Sequence, residues 1–135
     1  MTTVVDASVA LRWCFQLPAS DRAEGLLKSA DSLIAPDLII AEIANAAWKF
    51  VAFDGLPAKA AMAAVRESSK GFDELIPSVA LREEALAIAI ELGHPAYDCF
   101  YLALAEQRDA VLITADDRLA RRCAGTRWAK RVRRL

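Results

Sequence analysis

Short apolar runs alternate with longer helix-like stretches along the chain, and this alternation constrains the fold more than any other feature. The apolar runs lie at 2–5, 33–35, 75–76 and 111–114, and each is strand-sized and rich in Val, Ile or Leu. The helix-like stretches lie near 20–29, 36–53, 57–70, 79–92, 95–108 and 116–124. Strands that lack polar alternation are covered on both faces, and strands that alternate with helices form parallel sheets. The pattern therefore predicts an α/β fold, a three-layer α/β/α sandwich with a central, mostly parallel sheet.

Glycine and proline mark the predicted boundaries. Each of four glycines follows a helix-like stretch, where a left-handed residue is favoured, and each of three prolines opens one. The glycines are Gly55, Gly71, Gly93 and Gly125, and the prolines are Pro36, Pro57 and Pro95. A last strand is predicted near 129–132, despite its basic residues. Without a linker, repeat or low-complexity segment, 135 residues are expected to form one domain, 1–135.

Composition excludes several classes of protein. Glu42 and Asn45 interrupt the longest apolar run, so no uncharged span reaches the roughly 20 apolar residues of a transmembrane helix. The N-terminal residues have neither the basic region nor the cleavage site of a signal peptide. Cys14, Cys99 and Cys123 are too widely spaced for a zinc motif or a disulfide framework, and we expect free thiols. These observations predict a cytoplasmic protein with no membrane partner.

The net charge of −1 conceals two oppositely charged regions. Of the 17 basic residues, eight lie in 118–135, where there is no acidic residue. Residues 1–117 contain the other nine basic residues and all 18 acidic residues. Within the basic end, Arg131, Arg133 and Arg134 are candidates for contact with the phosphates of a nucleic acid, although a solvated charged surface would have the same composition.

Four acidic residues lie where an ionised carboxylate is disfavoured or where a site is normally built. Asp6 follows the first strand and Asp116 follows the VLIT strand, and ligands of parallel sheets bind beyond the carboxyl ends of strands. Glu42 lies inside an apolar helix, and Asp98 lies in the first turn of another. Burying an unpaired carboxylate costs several kcal/mol, so this group calls for a compensating positive charge.

A hard divalent cation fits that requirement better than a basic side chain. The only basic residues near these acids in sequence are Arg12 and Lys49, whereas Mg²⁺ and Mn²⁺ prefer oxygen ligands. The single histidine, His94, lies between a glycine and a proline and is interpreted as a turn residue. Taken singly, each acid also has an ordinary explanation; Asp116 and Asp117, for example, could cap the next helix. Together the four acids favour a metal-dependent site.

Four motifs in order resemble the PIN-domain family and, within it, the VapC-type toxins of toxin–antitoxin pairs. They are VVDASVALRW, APDLIIAEIANAAW, GHPAYDCFYLALAEQRDAVLITAD and the short basic end, which together cover essentially the whole chain. The resemblance implies the family's α/β/α sandwich, which agrees with the independent prediction. One departure is Cys99, where alanine is commoner in the family.

The resemblance also implies a site. Asp6, Glu42, Asp98 and Asp116 look like the family's acidic quartet, with Asp6 and Asp98 as the principal magnesium ligands. The hydroxyl residues that accompany the quartet correspond to Ser8 and Thr114. Asn45 lies three residues after Glu42 on the same helix face, where it could orient Glu42 or a water.

The function that follows is a magnesium-dependent endoribonuclease, with Mn²⁺ as a substitute, acting as a toxin on RNA. The family implies a cognate antitoxin and a homodimer. Two alternatives stay open: a catalytically silent PIN-like module that binds RNA or a partner, and a nuclease directed at DNA or a phosphatase using the same metals. A receiver-like signalling domain is disfavoured because the central LIPSV run carries no acid.

Overall fold

The computed structural model describes residues 1–135, and a single five-stranded sheet organises them. The strands are β1 (Thr2–Val5), β2 (Ser32–Pro36), β3 (Glu74–Ile76), β4 (Val111–Thr114) and β5 (Val132–Arg134). Their order is β3-β2-β1-β4-β5, and every neighbouring pair is parallel. The predicted fold class is confirmed, with a sheet that is parallel throughout.

Seven helices connect and cover the strands. They are α1 (Ala7–Cys14), α2 (Ser20–Leu27), α3 (Ile39–Asp54), α4 (Ala58–Glu67), α5 (Arg82–Leu92), α6 (Ala96–Gln107) and α7 (Asp117–Cys123). Short 3₁₀ turns lie at Ser68–Gly71, Ser78–Ala80 and Ala129–Arg131. No helix, including the 16-residue α3, combines the length and the apolar character needed to cross a bilayer.

The sheet separates two apolar clusters because side chains alternate between its faces. On β1, Val4 belongs to the larger cluster, which also contains residues of α3, α5 and α6. The next residue, Val5, packs on the other face with Val9 of α1 and Ala23 of α2. β1, the central strand, therefore lies between both helical layers. Asp6 directly follows the carboxyl end of this strand.

Three predictions about helices and strands are wrong, and so is the left-handed conformation predicted for Gly71. The predicted elements do not include α1, which begins directly after β1 because the Asp6 side chain accepts a hydrogen bond from the backbone of Val9 and caps the helix. Pro36 ends β2, paired with Ile76, rather than opening α3. The last strand lies at Val132–Arg134 instead of 129–132, because Val132 is the residue that pairs with Leu112.

Gly71 is required for space rather than for a left-handed conformation. Gly55, Gly93 and Gly125 have positive φ angles, as predicted, but Gly71 does not. A Cβ atom on Gly71 would lie 2.7 Å from Cζ3 of Trp13 and 3.0 Å from Cδ2 of Leu27. The glycine therefore lets the indole of α1 pack directly against the backbone of the Ser68–Gly71 turn.

Replacing Gly71 by alanine is expected to lower the free energy of unfolding by about 1 to 3 kcal/mol, the usual cost of overpacking. Gly25 is the matched control, since nothing lies within 4 Å of a Cβ placed there, in the interior of α2. Gly25→Ala should stabilise by about 0.5 to 1 kcal/mol. Urea unfolding measures both, and equal effects of the two substitutions would refute the packing explanation.

Candidate active site at the carboxyl edge of the sheet

Asp6 lies at the point where the central strand meets the first helix. Its side chain is buried, and Oδ1 accepts hydrogen bonds from Ser8 Oγ at 2.5 Å and from the Val9 amide at 3.2 Å. Burial raises the pKa of Asp6 from its ordinary 3.8 to about 6, although the hydroxyls of Ser8 and Thr114 and the Val9 amide act in the opposite direction. The nearby charge of Asp98 raises this pKa further. An ionised Asp6 is therefore held in the fold at a free-energy cost.

Two hydroxyl residues connect the ends of β1 and β4 around Asp6. Ser8 Oγ accepts a hydrogen bond from the Ala115 amide at 2.9 Å and lies 3.4 Å from Oγ1 of Thr114. Thr114 is buried, and its Oγ1 accepts a hydrogen bond from the Asp116 amide at 2.9 Å. Ser8 and Thr114 thus form a hydroxyl link between Asp6 and the backbone of Asp116.

Glu42 reaches the same region from the first turn of α3. The buried hydroxyl of Tyr101, on α6, donates a hydrogen bond of 2.5 Å to Oε1 of Glu42. Burial raises the pKa of Glu42, the Tyr101 hydrogen bond lowers it, and the charges of Asp98 and Asp6 raise it. Burial, and then the charges of Glu42, Asp6 and Asp98, raise the pKa of Tyr101 well above its ordinary value, so its hydroxyl remains a proton donor.

Asp98 lies in the first turn of α6 and is held by the preceding turn. His94 donates from Nε2 to Oδ2 of Asp98 across 2.6 Å, with 11% of the histidine side chain and 31% of the aspartate side chain exposed. The charge of Asp98 raises the pKa of both Asp6 and Glu42, so the three carboxylates lie close enough to repel one another. We call them the acidic cluster.

The acidic cluster has no Lys or Arg partner. None of its members forms an ion pair with either residue type. Arg12, the basic residue nearest Asp6 in sequence, donates instead to the backbone carbonyls of Ser8 and Pro18. Lys49 is exposed on α3. The negative charge of the cluster therefore has no lysine or arginine in contact with it.

Glu42 and Asp98 each keep one carboxylate oxygen without a protein donor. Their hydrogen bonds use Oε1 of Glu42 and Oδ2 of Asp98, which leaves Oε2 and Oδ1 unused, whereas the Asp6 carboxylate is held by Ser8, Val9 and Thr114. Oxygen donors with an uncompensated negative charge fit a hard divalent cation. The side chains do not converge on one point, since no three acidic, histidine or cysteine residues form a ready-made metal-binding group. Donor chemistry and charge thus favour a cation, which would have to draw the carboxylates together.

Asp116 lies at the same edge but outside the acidic cluster. It caps α7 by accepting a hydrogen bond from the Arg118 amide at 2.9 Å, and Nε of Arg118 lies 3.5 Å from the same oxygen. No hydrogen bond or ion pair joins Asp116 directly to Asp6, Glu42 or Asp98. It is connected to Asp6 only through the hydroxyls of Thr114 and Ser8.

Asn45 lies one helical turn beyond Glu42 and is exposed. The two residues line a groove of about 430 Å³ together with Tyr97 and Phe100 of α6, and no hydrogen bond joins Asn45 to Glu42. A role for Asn45 in orienting Glu42 or a water stays a prediction.

The three arginines predicted to contact RNA differ in their surroundings. Arg131 is tied to Glu106 at 3.1 Å and to Asp109 at 2.8 Å, with only 16% of its side chain exposed, so it holds the C-terminus against α6. Arg134 forms an ion pair of 3.3 Å with Asp117. Arg133 is exposed and forms no ion pair. RNA contact at these positions stays a prediction, and the pairing of Arg131 and Arg134 does not favour it.

Two residues that contact the acidic cluster are missing from the sequence-based site. Tyr101 lies three residues after Asp98, and His94 lies four residues before it. The four-residue spacing of His94 and Asp98 is a local signal that could have identified the histidine, although His94 precedes α6. The contact of Tyr101 with Glu42 joins two helices, so no local spacing indicates it. His94 is a turn residue, as predicted, and it also holds Asp98.

Comparisons with known proteins agree on the fold and the family. A family model described as the PIN domain matches residues 3–125. Ribonuclease VapC3 of Pyrobaculum aerophilum is 34% identical over 122 residues, which are 89% of this chain and 93% of the relative. A crystal structure of a protein from Pyrobaculum aerophilum superposes with a TM-score of 0.70 at 25% identity, covering 93% of this chain and 82% of the other. The VapBC2 structure from Rickettsia felis, bound to a promoter DNA fragment, has a TM-score of 0.67 at 12% identity, covering 100% and 99%.

Proposed function

The chain belongs to the PIN-domain family, and from this premise we propose that it is a magnesium-dependent endoribonuclease acting as the toxin of a toxin–antitoxin pair. One observation carries the proposal. Asp6, Glu42 and Asp98 form a negatively charged group with no Lys or Arg partner, at the edge where parallel sheets bind ligands. The 34% identity to a relative named Ribonuclease VapC3 supports RNA as the substrate.

Mg²⁺, or Mn²⁺ in its place, would be held by Asp6, Glu42 and Asp98, with Asp116 as a further carboxylate of the edge. A cation bound there supplies Lewis-acid chemistry, since it acidifies a water and offsets the charge that develops on a phosphate. The reaction is hydrolysis: a water oxygen bonds to phosphorus, the bond to the 3′-oxygen breaks, and the products carry a 5′-phosphate and a 3′-hydroxyl. Cleavage through the 2′-hydroxyl by a pair of histidines is disfavoured, because the chain has one histidine.

The chain's own residues position the reacting groups. Ser8 and the Val9 amide fix Oδ1 of Asp6, Tyr101 fixes Oε1 of Glu42, and Oε2 of Glu42 is left for ligand or water. Because Tyr101 stays protonated, it donates to Glu42 whatever the charge of the other acids. The burial of Asp6 strengthens every electrostatic interaction made there.

An antitoxin is the partner that this function requires. An apolar groove of about 280 Å³ between α3 and α4 exposes 57% of Trp48 and 63% of Met62, and all eight residues that line it are hydrophobic. We propose that this groove takes an apolar segment of the antitoxin. A homodimer stays a prediction, with exposed Leu86 and Ile90 of α5 as candidate contacts. We place the protein in the cytoplasm, where its three free thiols would stay reduced.

Induced expression in a bacterial host tests the proposal. The wild-type chain should arrest growth and fragment cellular RNA, whereas Asp98→Asn, expressed to the same level, should do neither. Growth arrest by both proteins without RNA fragmentation would favour the silent binding module, and fragmentation of DNA instead of RNA would favour the DNA-directed nuclease. Either result would overturn the assignment as a ribonuclease.

A further inference from the structure

Three arginines of α7 line a polar concavity beside the acidic cluster. Arg118, Arg121 and Arg122 enclose it together with His94, in a volume of about 450 Å³ that no hydrophobic and no acidic residue lines. Positions 118, 121 and 122 have the i, i+3 and i+4 spacing of one helix face, so the three guanidinium groups lie together. We call them the α7 arginine surface.

The concavity adjoins the candidate active site at two points. His94, which lines the concavity, forms a hydrogen bond of 2.6 Å between its Nε2 and Oδ2 of Asp98. Nε of Arg118, which also lines the concavity, lies 3.5 Å from Oδ1 of Asp116. The α7 arginine surface therefore lies next to two of the acids at the carboxyl edge of the sheet.

Two arginines of this surface, Arg121 and Arg122, differ from much of the basic C-terminus because no ion pair neutralises them. Arg127, Arg131 and Arg134 form ion pairs with acidic side chains of the same chain. Arg121 and Arg122 are exposed and form no ion pair. Their charge is available to a ligand. Lys130 and Arg133 are also unpaired, but neither lines the concavity.

We propose that Arg121 and Arg122, with Arg118 at the border of the site, bind the phosphate backbone of single-stranded RNA and hold it beside the acidic cluster. The inference rests on the proposed function and assigns the surface that its substrate needs. A polyanion approaching Asp6, Glu42 and Asp98 is repelled until cationic groups near them offset the repulsion. Guanidinium groups bind phosphate oxygens in a planar, paired geometry, and backbone contacts of this kind do not depend on base sequence.

An acidic segment of a protein partner is the rival occupant, because carboxylates also pair with guanidinium groups. The concavity favours RNA on one ground. It opens beside the residues proposed to cut a phosphodiester bond, so a strand bound there presents its neighbouring phosphate to them. The experiment must therefore compare the two ligands directly.

The test is binding of fluorescein-labelled oligouridine to the intact protein in EDTA, followed by fluorescence anisotropy from about 50 to 200 mM salt. Arg121→Glu/Arg122→Glu is the main variant, and Arg121→Gln/Arg122→Gln is a milder one. Lys59→Glu/Arg66→Glu is the matched control, since it reverses two exposed charges on α4 and changes the net charge equally. Thermal unfolding confirms that each variant is folded.

The proposal predicts that both α7 variants weaken binding by at least about tenfold and make the dependence of log affinity on log salt shallower by about 1 to 2, as expected for two lost phosphate contacts. The control should retain most of the wild-type affinity. Equal losses in the α4 control, unchanged binding in the α7 variants, or no measurable wild-type binding at low salt would each overturn it. So would a labelled oligoglutamate that binds through Arg121 and Arg122 more tightly than the RNA does.

The outcome is separable from that of the proposed function, because the binding test needs neither magnesium nor cleavage. Failure of wild-type cleavage with normal α7-dependent binding would refute the nuclease and leave the binding surface. Normal cleavage with α7-independent binding would refute the surface and leave the nuclease. In a cleavage assay, the Gln variant should lose kcat/KM mainly through a higher KM.

Discussion

Replacing Asp6 or Asp98 by asparagine is expected to lower the rate of magnesium-dependent RNA cleavage by more than about 100-fold, since loss of a residue that merely supports a metal ligand already costs 10- to 100-fold. Asparagine can still accept the hydrogen bonds that Ser8 and Val9 donate to Asp6. The substitution therefore removes the charge and one ligand oxygen while it leaves the local fold in place. The measurement is the single-turnover rate on a labelled RNA at saturating Mg²⁺.

Asp54→Asn is the matched control for this loss. Asp54 is an exposed residue at the end of α3, outside the acidic cluster, and its replacement changes the net charge by the same amount. The control should cleave RNA at nearly the wild-type rate. Cleavage by Asp6→Asn and Asp98→Asn at the rate of the control would contradict the assignment of the acidic cluster.

Asp6→Asn is also expected to stabilise the metal-free protein at neutral pH. The pKa of Asp6 is raised from 3.8 to about 6 in the fold, so folding favours its protonated form. Protonated Asp6 therefore contributes stability that is fully present below 3.8, the ordinary pKa taken for the unfolded chain, and is lost as the pH rises through about 6. At pH 8, the ionised Asp6 lowers the free energy of unfolding by up to about 3 kcal/mol. The asparagine variant, which has no such ionisation, avoids this cost.

The check is urea unfolding of both proteins in EDTA between pH 4 and pH 8. The stability of Asp6→Asn relative to wild type should increase across this range, most steeply between pH 4 and pH 6. Addition of Mg²⁺ at pH 8 should stabilise the wild type and have little effect on the variant, because a cation that binds only the folded protein shifts the unfolding equilibrium. A stability difference that does not vary with pH, or an equal response of both proteins to Mg²⁺, would count against a charged, cation-binding Asp6.

The fold was predictable because its signals are local and periodic. Apolar strands 2–5 and 111–114 have the predicted bounds, and the helices between strands made a parallel sheet the expected arrangement. The α1 helix was not predicted because it follows β1 with only Asp6 between them. A residue at the end of a strand and a helix cap have the same appearance in sequence, and Asp6 is both.

The site was predictable only in part, because hydrogen-bond partners depend on tertiary contacts. The sequence identifies Asp6, Glu42 and Asp98 as acids in apolar surroundings. In the fold, the charge of Asp98 raises the pKa of the other two. The hydrogen bond from Tyr101 to Glu42 joins residues that are 59 positions apart in sequence, so no local pattern predicts it.

The basic C-terminus shows the same limit. Its charge is evident in sequence, but which arginines are neutralised by ion pairs depends on the packing of the C-terminus against α6 and α7. Sequence singled out Arg131, yet the fold turns its guanidinium towards Glu106 and Asp109. Arg121 and Arg122, nine to thirteen positions earlier than the predicted set, are the unpaired arginines beside the acids.

The most direct test of the account is the chemistry of the RNA ends that the purified wild-type protein leaves. A labelled single-stranded RNA, incubated with Mg²⁺ or with EDTA, should be cleaved only with Mg²⁺, and its fragments should carry 5′-phosphate and 3′-hydroxyl groups. That result is predicted by hydrolysis at a cation-holding acidic cluster. Cleavage that persists in EDTA, or fragments that end in a 2′,3′-cyclic phosphate, would contradict it.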